Sequence, residues 1–184
     1  EVLCRKLSDS QAFHLFLSHA WPAAQDRMRI VKERFGECLP TARVFLDVDD
    51  LKSGSGTAEV DKSECILVFT TTSYFCKKNS MKEMYRAVVQ RRPILAMLEP
   101  DATQEGGLDQ KAVEALITNK KLDKFKLRDA DPNCDYAWWS THTVKGDAQP
   151  RGQLLEAAFD HAPNGGEVAA ALFAVAPVKW NRLP

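Results

Sequence analysis

The sequence predicts an α/β fold of the flavodoxin-like type, a doubly wound parallel sheet of about five strands in a single domain. Short continuous apolar runs recur along the chain, as expected for strands that are buried on both faces. Amphipathic segments alternate with these runs, and right-handed crossovers would place such helices on both sides of the sheet. The apolar fraction of 45% is sufficient for the core that this fold requires.

The strands and helices alternate in order along the chain. The apolar runs that predict strands are His14–Ser18, Val44–Val48, Cys65–Phe69, Ile94–Leu98 and Val175–Trp180. The segments that predict helices are Ala24–Leu39, Thr57–Lys62, Asn79–Gln90, Asp109–Asn119, Gly152–His161 and Glu167–Phe173. Pro40 ends the first helix, because proline lacks the backbone N–H that a helix interior needs.

We expect residues 1–12 to be a flanking segment and residues 13–184 to form the domain, with an extended irregular and helical region at about 101–173. The chain begins at Glu1 without a methionine, and no helix follows the last strand before Pro184. A doubly wound sheet would normally cover that strand. We therefore expect a fragment of a longer protein that lacks the final covering helix.

Composition excludes several partners and sites. Lys+Arg and Asp+Glu balance at 25 each, so no general attraction to nucleic acid or to anionic membranes is predicted. No apolar run approaches the roughly 20 residues that a membrane helix needs. The five cysteines are odd in number and lack C-x-x-C spacing, which favours reduced thiols and a cytoplasmic location. The four histidines lack metal-ligand spacing, so no metal site is predicted.

The segment Thr70–Met84 carries the main candidate for chemistry. It directly follows the third predicted strand, turns over Tyr74-Phe75 and enters a helix whose first turns contain Glu83. Ligands of open α/β sheets bind outside the carboxyl ends of the strands. Glu83 is therefore either a solvated helix residue or a catalytic carboxylate.

A second acidic group, Asp47-Val48-Asp49-Asp50, follows the second predicted strand. Grouped carboxylates can hold Mg²⁺ or accept a phosphoryl group. A phosphoacceptor domain would also need acidic residues after the first strand, where this chain has Ser18-His19-Ala20. Asp49 and Asp50 are therefore predicted to be a solvated strand end.

Four segments, in order and spacing, are similar to the Toll/interleukin-1 receptor (TIR) domain family. They are the F-x-S-like run Phe16–His19, the run Val44–Asp47 with the loop through Gly54, the segment Ser63–Glu83, and Val178–Trp180. Some TIR domains are assembly scaffolds. Others cleave the nicotinamide–ribose bond of NAD with a glutamate that matches Glu83 by motif position.

This resemblance implies an NAD glycohydrolase that yields nicotinamide and ADP-ribose or a cyclic ADP-ribose. It also implies activation by self-association, in signal transduction, innate immunity or cell defence. No cofactor would be required, because NAD is the substrate. The alternative is a non-catalytic module that pairs with other TIR domains or with itself. A third possibility is a sensor that binds NAD or a related nucleotide without cleaving it.

A single carboxylate suits this chemistry. Nicotinamide in NAD is already a cationic leaving group, so no general acid is needed to expel it. An oxocarbenium-like ribose must be stabilised instead, as in glycoside hydrolysis, and a nearby carboxylate can do this. The residues expected to complete the pocket are Ser18, His19, Trp21, Asp47, Lys52, Gly54, Tyr74 and Asn79. A structural role stays open for His19, and a packing role for Trp21.

Overall fold

A computed structural model describes residues 6–21, 24–50, 56–101, 103, 106–118 and 163–180. Its strands form one sheet, in which every pair of neighbours is parallel and the order is β2-β1-β3-β4-β5. The strands are β1 Phe13–Ser18, β2 Val44–Phe45, β3 Ser63–Thr70, β4 Ile94–Leu98 and β5 Val178–Lys179. The order and direction confirm the predicted flavodoxin-like α/β fold.

Helices connect these strands. They are α1 Gln25–Cys38, α2 Asp47–Asp50, α3 Thr57–Asp61, α4 Lys78–Val89, α5 Gln110–Thr118 and α6 Gly165–Leu172. A short 3₁₀ helix, Tyr74–Cys76, lies between β3 and α4. The last helix begins with a capping box, in which the side chain of Asn164 accepts from the Glu167 amide and Glu167 accepts from the Asn164 amide.

The side chains of the central strands alternate between two cores, one on each face of the sheet. On one face Phe16, Ile66 and Val68 pack with residues of α3, α4, α5 and α6. On the other face Leu17 and Leu67 pack against α1. Successive residues of a strand point to opposite faces, so a continuous apolar run fills both cores.

The second predicted strand is shorter than expected. Only Val44–Phe45 is extended, and the chain becomes helical at Asp47. The carboxylate of Asp50 accepts from the Leu46 amide at 2.8 Å and from Lys32 Nζ at 2.7 Å. These bonds stabilise a turn, so Asp50 fixes the start of α2 rather than extending from a strand end. The last strand is also shorter than predicted, at Val178–Lys179.

Several predictions fall outside the described residues. They are the helix at 152–161, most of the irregular region at 101–173, the loop residues Lys52 and Gly54, and any helix after β5. In the described part of the chain, no helix combines the length and the apolar character that crossing a membrane demands. The same ranges contain no group of three or more His, Cys, Asp or Glu placed to hold a metal ion.

Helices α3 and α4 pack side by side, and an ion pair joins them. Arg86 of α4 donates from Nε and from Nη2 to the two carboxylate oxygens of Asp61 on α3, at 2.7 Å each. Gln90 adds a bond to the same carboxylate at 2.6 Å. This pairing holds the opposite end of α3, where Gly56 precedes the helix, close to Glu83 of α4.

Candidate functional site

Glu83 lies on the buried face of α4, at the carboxyl ends of β1 and β3. It is only 7% exposed, and Ser80 and Ala87, one turn away on either side, are also buried. It is therefore not a solvated helix residue. The strand order reverses between β1 and β3, which is the switch point where open α/β sheets bind ligands.

The carboxylate of Glu83 is held by a chain of hydroxyl groups. Ser18 Oγ lies 2.6 Å from Glu83 Oε2, and Tyr74 Oη lies 2.8 Å from Ser18 Oγ. Tyr74 donates onward to the carbonyl oxygen of Ser80 at 2.9 Å. Ser80 in turn donates from Oγ to the carbonyl oxygen of His19 at 3.0 Å. These bonds tie the end of β1, the 3₁₀ helix and the first turn of α4 to one another.

No cation pairs with Glu83 in the part of the chain that the structure describes, and its protonation reflects this. Burial is the main cause that raises the pKa of Glu83, the hydrogen bond from Ser18 lowers it, and the nearby charge of Asp47 raises it, so that the pKa is about 8. Burial, followed by the charge of Glu83, raises the pKa of Tyr74 well above its ordinary value. Glu83 is therefore mostly a neutral acid at pH 7 in this conformation.

Gly56 covers the second oxygen of Glu83. A Cβ at this position would lie 2.5 Å from Glu83 Oε1 and 3.1 Å from Phe16 Cζ. Gly56 itself has ordinary right-handed helical φ and ψ, so close approach rather than backbone conformation requires glycine here. In this conformation the carboxyl group is enclosed by Ser18 on one side and by Gly56 on the other.

A second polar group lies beside this site, at the ends of β1 and β2. Trp21 donates from Nε1 to Asp47 Oδ2 at 3.0 Å, and His19 Nε2 lies 3.8 Å from Asp47 Oδ1. His19 Nε2 is buried and has no hydrogen-bond partner among the described residues. Burial lowers the pKa of His19, with Asp47 opposing. By contrast, Trp21 is 45% exposed and available to a ligand.

The structure brings most of the predicted site residues to one edge of the sheet. Ser18, Tyr74 and Glu83 form direct contacts, and His19, Trp21 and Asp47 form the adjacent group. Asn79 is exposed in the first turn of α4. Lys52 and Gly54 lie outside the described residues. The ligand-binding roles assigned to these residues stay predictions.

Sequence reasoning missed the parts played by Gly56 and by Ser80. A glycine next to serines carries no signal for contact with a distant helix, so the sequence does not indicate that Gly56 lies against Glu83. Ser80 lies one turn before Glu83 on α4. Its bond to His19 links residues 61 positions apart, which no local pattern reveals.

A buried acid in hydroxyl surroundings has two chemical uses. While neutral it can donate a hydrogen bond or a proton. Once ionised, in a site that excludes water, it can stabilise positive charge that develops on a substrate. Comparisons of the chain with protein-family models, with curated proteins and with solved structures find no match.

Proposed function

We propose that this chain is a TIR-type NAD glycohydrolase that cleaves the nicotinamide–ribose bond to give nicotinamide and ADP-ribose or a cyclic ADP-ribose. It would act in cytoplasmic signalling or cell defence and would be activated by self-association. The observation that carries the proposal is the position of Glu83. Its buried carboxyl group lies at the β1/β3 switch point, beside the hydroxyl of Ser18.

The local chemistry supports this reaction. Glu83 has no paired cation among the described residues, so an ionised Glu83 would direct its negative charge at the substrate. A ribose that loses nicotinamide develops positive charge at its anomeric carbon, which a carboxylate within a few ångströms stabilises. Ser18 Oγ could then bond to a ribose hydroxyl instead of Glu83, because it is the nearest hydroxyl on the sheet edge.

Substrate access requires a change in the conformation described above. Glu83 is 7% exposed and Gly56 lies against its Oε1, so a ribose cannot reach the carboxyl group without displacing the start of α3. We propose that contacts between copies of the domain provide that displacement. Activity per molecule should therefore rise with protein concentration.

The test is nicotinamide release from NAD over a range of protein concentrations. Glu83→Gln keeps the shape of the side chain and removes its charge, and it should lower kcat by at least about 100-fold. Glu114→Gln is the matched control: Glu114 is a half-buried glutamate on α5 that accepts from Gln110. This control should retain wild-type turnover.

Two results would contradict the proposal. Equal turnover by the wild type and Glu83→Gln would remove Glu83 from the reaction. Absence of nicotinamide release from the wild type at every concentration, including conditions under which it self-associates, would exclude the glycohydrolase. Circular dichroism of both variants would show that lost turnover is not lost folding.

The enclosure of Glu83 favours a second candidate, a non-catalytic TIR interaction module. In that case the neutral acid between Ser18 and Gly56 is a structural element of the fold. Self-association would then be measurable by sedimentation without any NAD cleavage, and Glu83→Gln would leave the association constant unchanged. Calorimetry with NAD distinguishes both candidates from a sensor, which would bind the nucleotide without cleaving it.

A further inference from the structure

The hydroxyl chain, defined as Glu83, Ser18, Tyr74 and the Ser80 carbonyl, makes three oxygen–oxygen contacts. They are Glu83–Ser18 at 2.6 Å, Ser18–Tyr74 at 2.8 Å and Tyr74–Ser80 at 2.9 Å. Each distance is that of an O–H···O hydrogen bond, and each bond needs one hydrogen. The Ser80 carbonyl has no hydrogen to give, so it fixes the direction of donation at its end of the chain.

The number of hydrogens depends on the protonation of Glu83. With a neutral Glu83 there are three O–H groups for three contacts, and all can donate in one direction from Glu83 through Ser18 and Tyr74 to the carbonyl. With an ionised Glu83 only two hydrogens remain. If Ser18 donates to the carboxylate and Tyr74 to the carbonyl, the Ser18–Tyr74 contact joins two oxygens with no hydrogen between them. Buried polar groups are rarely left in that state.

We infer that the hydroxyl chain acts together with burial to set the protonation of Glu83 in the enclosed site, and that Tyr74 and Ser18 are positioning residues that act on it in opposite directions. Tyr74 favours the neutral form, because its one hydrogen is used by the Ser80 carbonyl and its oxygen needs a hydrogen from Ser18. Ser18 can accept from the neutral acid or donate to the carboxylate, and it favours the ionised form because the hydrogen bond to a charged oxygen is the stronger of the two.

The consequence for activity rests on the proposed function. A neutral Glu83 cannot stabilise a cationic ribose, so the enclosed site is inactive until the carboxylic acid O–H bond breaks and its proton passes to water. That loss becomes favourable when the site opens to solvent or when the pH rises. The protonation of Glu83 itself can be measured without NAD.

Other charged groups near Glu83 do not account for the neutral acid by themselves. Asp47 on α2 faces the carboxyl group and favours its neutral form. His19 Nε2 lies 3.8 Å from Asp47 Oδ1. On the neighbouring helices, Glu59 pairs with Lys62, Asp61 with Arg86, and Glu167 with the amide of Asn164. Single substitutions in the hydroxyl chain therefore test its effect on the protonation of Glu83 separately from the effect of these charges.

The experiment is a pH titration of the Glu83 carboxyl carbon by NMR, on protein labelled with ¹³C in glutamate side chains. The Glu83 signal is the one that disappears in Glu83→Gln. Its midpoint in the wild type should lie near pH 8. Ser18→Ala should raise the midpoint, because it removes the donor that favours the ionised form. Tyr74→Phe should lower it, because it removes the hydroxyl that favours the neutral form. Each shift should be about one pH unit.

Two matched controls make the same chemical changes outside the chain. Ser63→Ala removes a buried hydroxyl that donates to the Glu59 carbonyl at the start of β3. Tyr85→Phe removes a half-buried phenol on α4. Neither should move the Glu83 midpoint. A general loss of packing would move the midpoint in the same direction in all four variants, and that result would overturn the inference.

The wild-type titration alone can overturn the inference, even if a variant fails to fold. A Glu83 midpoint near its ordinary 4.5 would show that the enclosed acid is ionised at neutral pH. The proposed function fails separately. Midpoints that move as expected in a protein that never releases nicotinamide would leave the hydroxyl chain established and the glycohydrolase excluded. Nicotinamide release by a protein whose Glu83 midpoint is ordinary would support the glycohydrolase and overturn the inference about the hydroxyl chain.

Discussion

Glu83 and Asp61 are both carboxylates at the contact between α3 and α4, and they have opposite surroundings. Asp61 receives two bonds from Arg86 and one from Gln90, so its charge is matched by a cation and by fixed donors. Glu83 forms a hydrogen bond with one hydroxyl group, that of Ser18, and lies against Gly56, with no cation paired to it in the described ranges. One carboxyl group is paired with a cation, whereas the other is enclosed and mostly neutral.

The difference indicates what each group contributes. A bidentate arginine–carboxylate pair fixes geometry, and it sets the register of α3 on α4. A buried acid without a cation costs stability whenever it ionises, so a fold that needs only packing at this position would place an apolar residue there. The contrast favours a structural role for Asp61 and a functional role for Glu83.

The largest expected effect comes from breaking the Asp61 pair. Arg86→Gln leaves a largely buried aspartate without its cation and should lower the free energy of unfolding by about 3–5 kcal/mol. Urea denaturation followed by circular dichroism measures it. Arg34→Gln is the control, because Arg34 pairs with Glu37 on the exposed face of α1, and its replacement should leave stability nearly unchanged. Similar losses of stability in Arg86→Gln and Arg34→Gln would contradict the structural role assigned to the Asp61–Arg86 pair.

The next effect is the contribution of Glu83 to the pH dependence of stability. Its pKa is about 8 in the folded protein against an ordinary 4.5, so folding takes up a proton between these values. Stability is then fully present below about pH 4.5 and is lost as the pH rises through about 8, by at most about 1.4 kcal/mol per pH unit.

The measurement is urea denaturation of the wild type and of Glu83→Gln across that range. The difference between the two proteins should follow this slope. His19, whose pKa is lowered by burial, contributes the opposite sign in acid, and it largely cancels in the comparison. Parallel stability profiles would mean that Glu83 has the same protonation in the folded and unfolded states.

A smaller effect tests the enclosure of Glu83. Gly56→Ala puts a Cβ 2.5 Å from Glu83 Oε1 and should cost about 1–3 kcal/mol. Gly36→Ala is the matched control, since Gly36 lies in α1 with nothing within 4 Å, and it should stabilise by about 0.5–1 kcal/mol. The double variant Gly56→Ala/Glu83→Ala should recover at least about 1 kcal/mol of the loss. If the changes in the free energy of unfolding from the two substitutions simply added, residue 56 would not be in contact with Glu83.

The fold was predictable because its signals are local. Continuous apolar runs such as Cys65–Phe69 and Ile94–Leu98 predict buried parallel strands, and the spacing of Met81, Met84 and Val88 predicts α4. The second strand was too long in the prediction, because Leu46 reads as part of an apolar run. The carboxylate of Asp50 bonds to the Leu46 amide and turns the chain there.

The site was predictable only in part. Glu83 and Ser18 were named from motif position, but their contact joins residues 65 positions apart and depends on the strand order. The Asp61–Arg86 pair spans 25 positions and has no sequence signal. Nothing in the residue pattern around Gly56 indicates that it encloses a carboxyl group. Such long-range contacts follow from the tertiary fold rather than from local periodicity.

The smallest effect on stability is expected at Trp21, at the edge of the site. Trp21 is 45% exposed, so Trp21→Phe, which removes the bond to Asp47, should change the free energy of unfolding by less than about 0.5 kcal/mol. Under the proposed function it should raise KM for NAD with little change in kcat, because it removes binding that substrate and transition state share.

Trp180→Phe is the matched control for Trp21. Trp180 packs edge-on against Phe69 in the core on the α1 face, at 6.4 Å between ring centroids. Its replacement should lower stability more than Trp21→Phe does and leave KM unchanged. If instead Trp21→Phe destabilised the fold and left KM unchanged, the exposed indole would be a packing residue. The ligand-facing part of the site would then be confined to Glu83 and its hydroxyl neighbours.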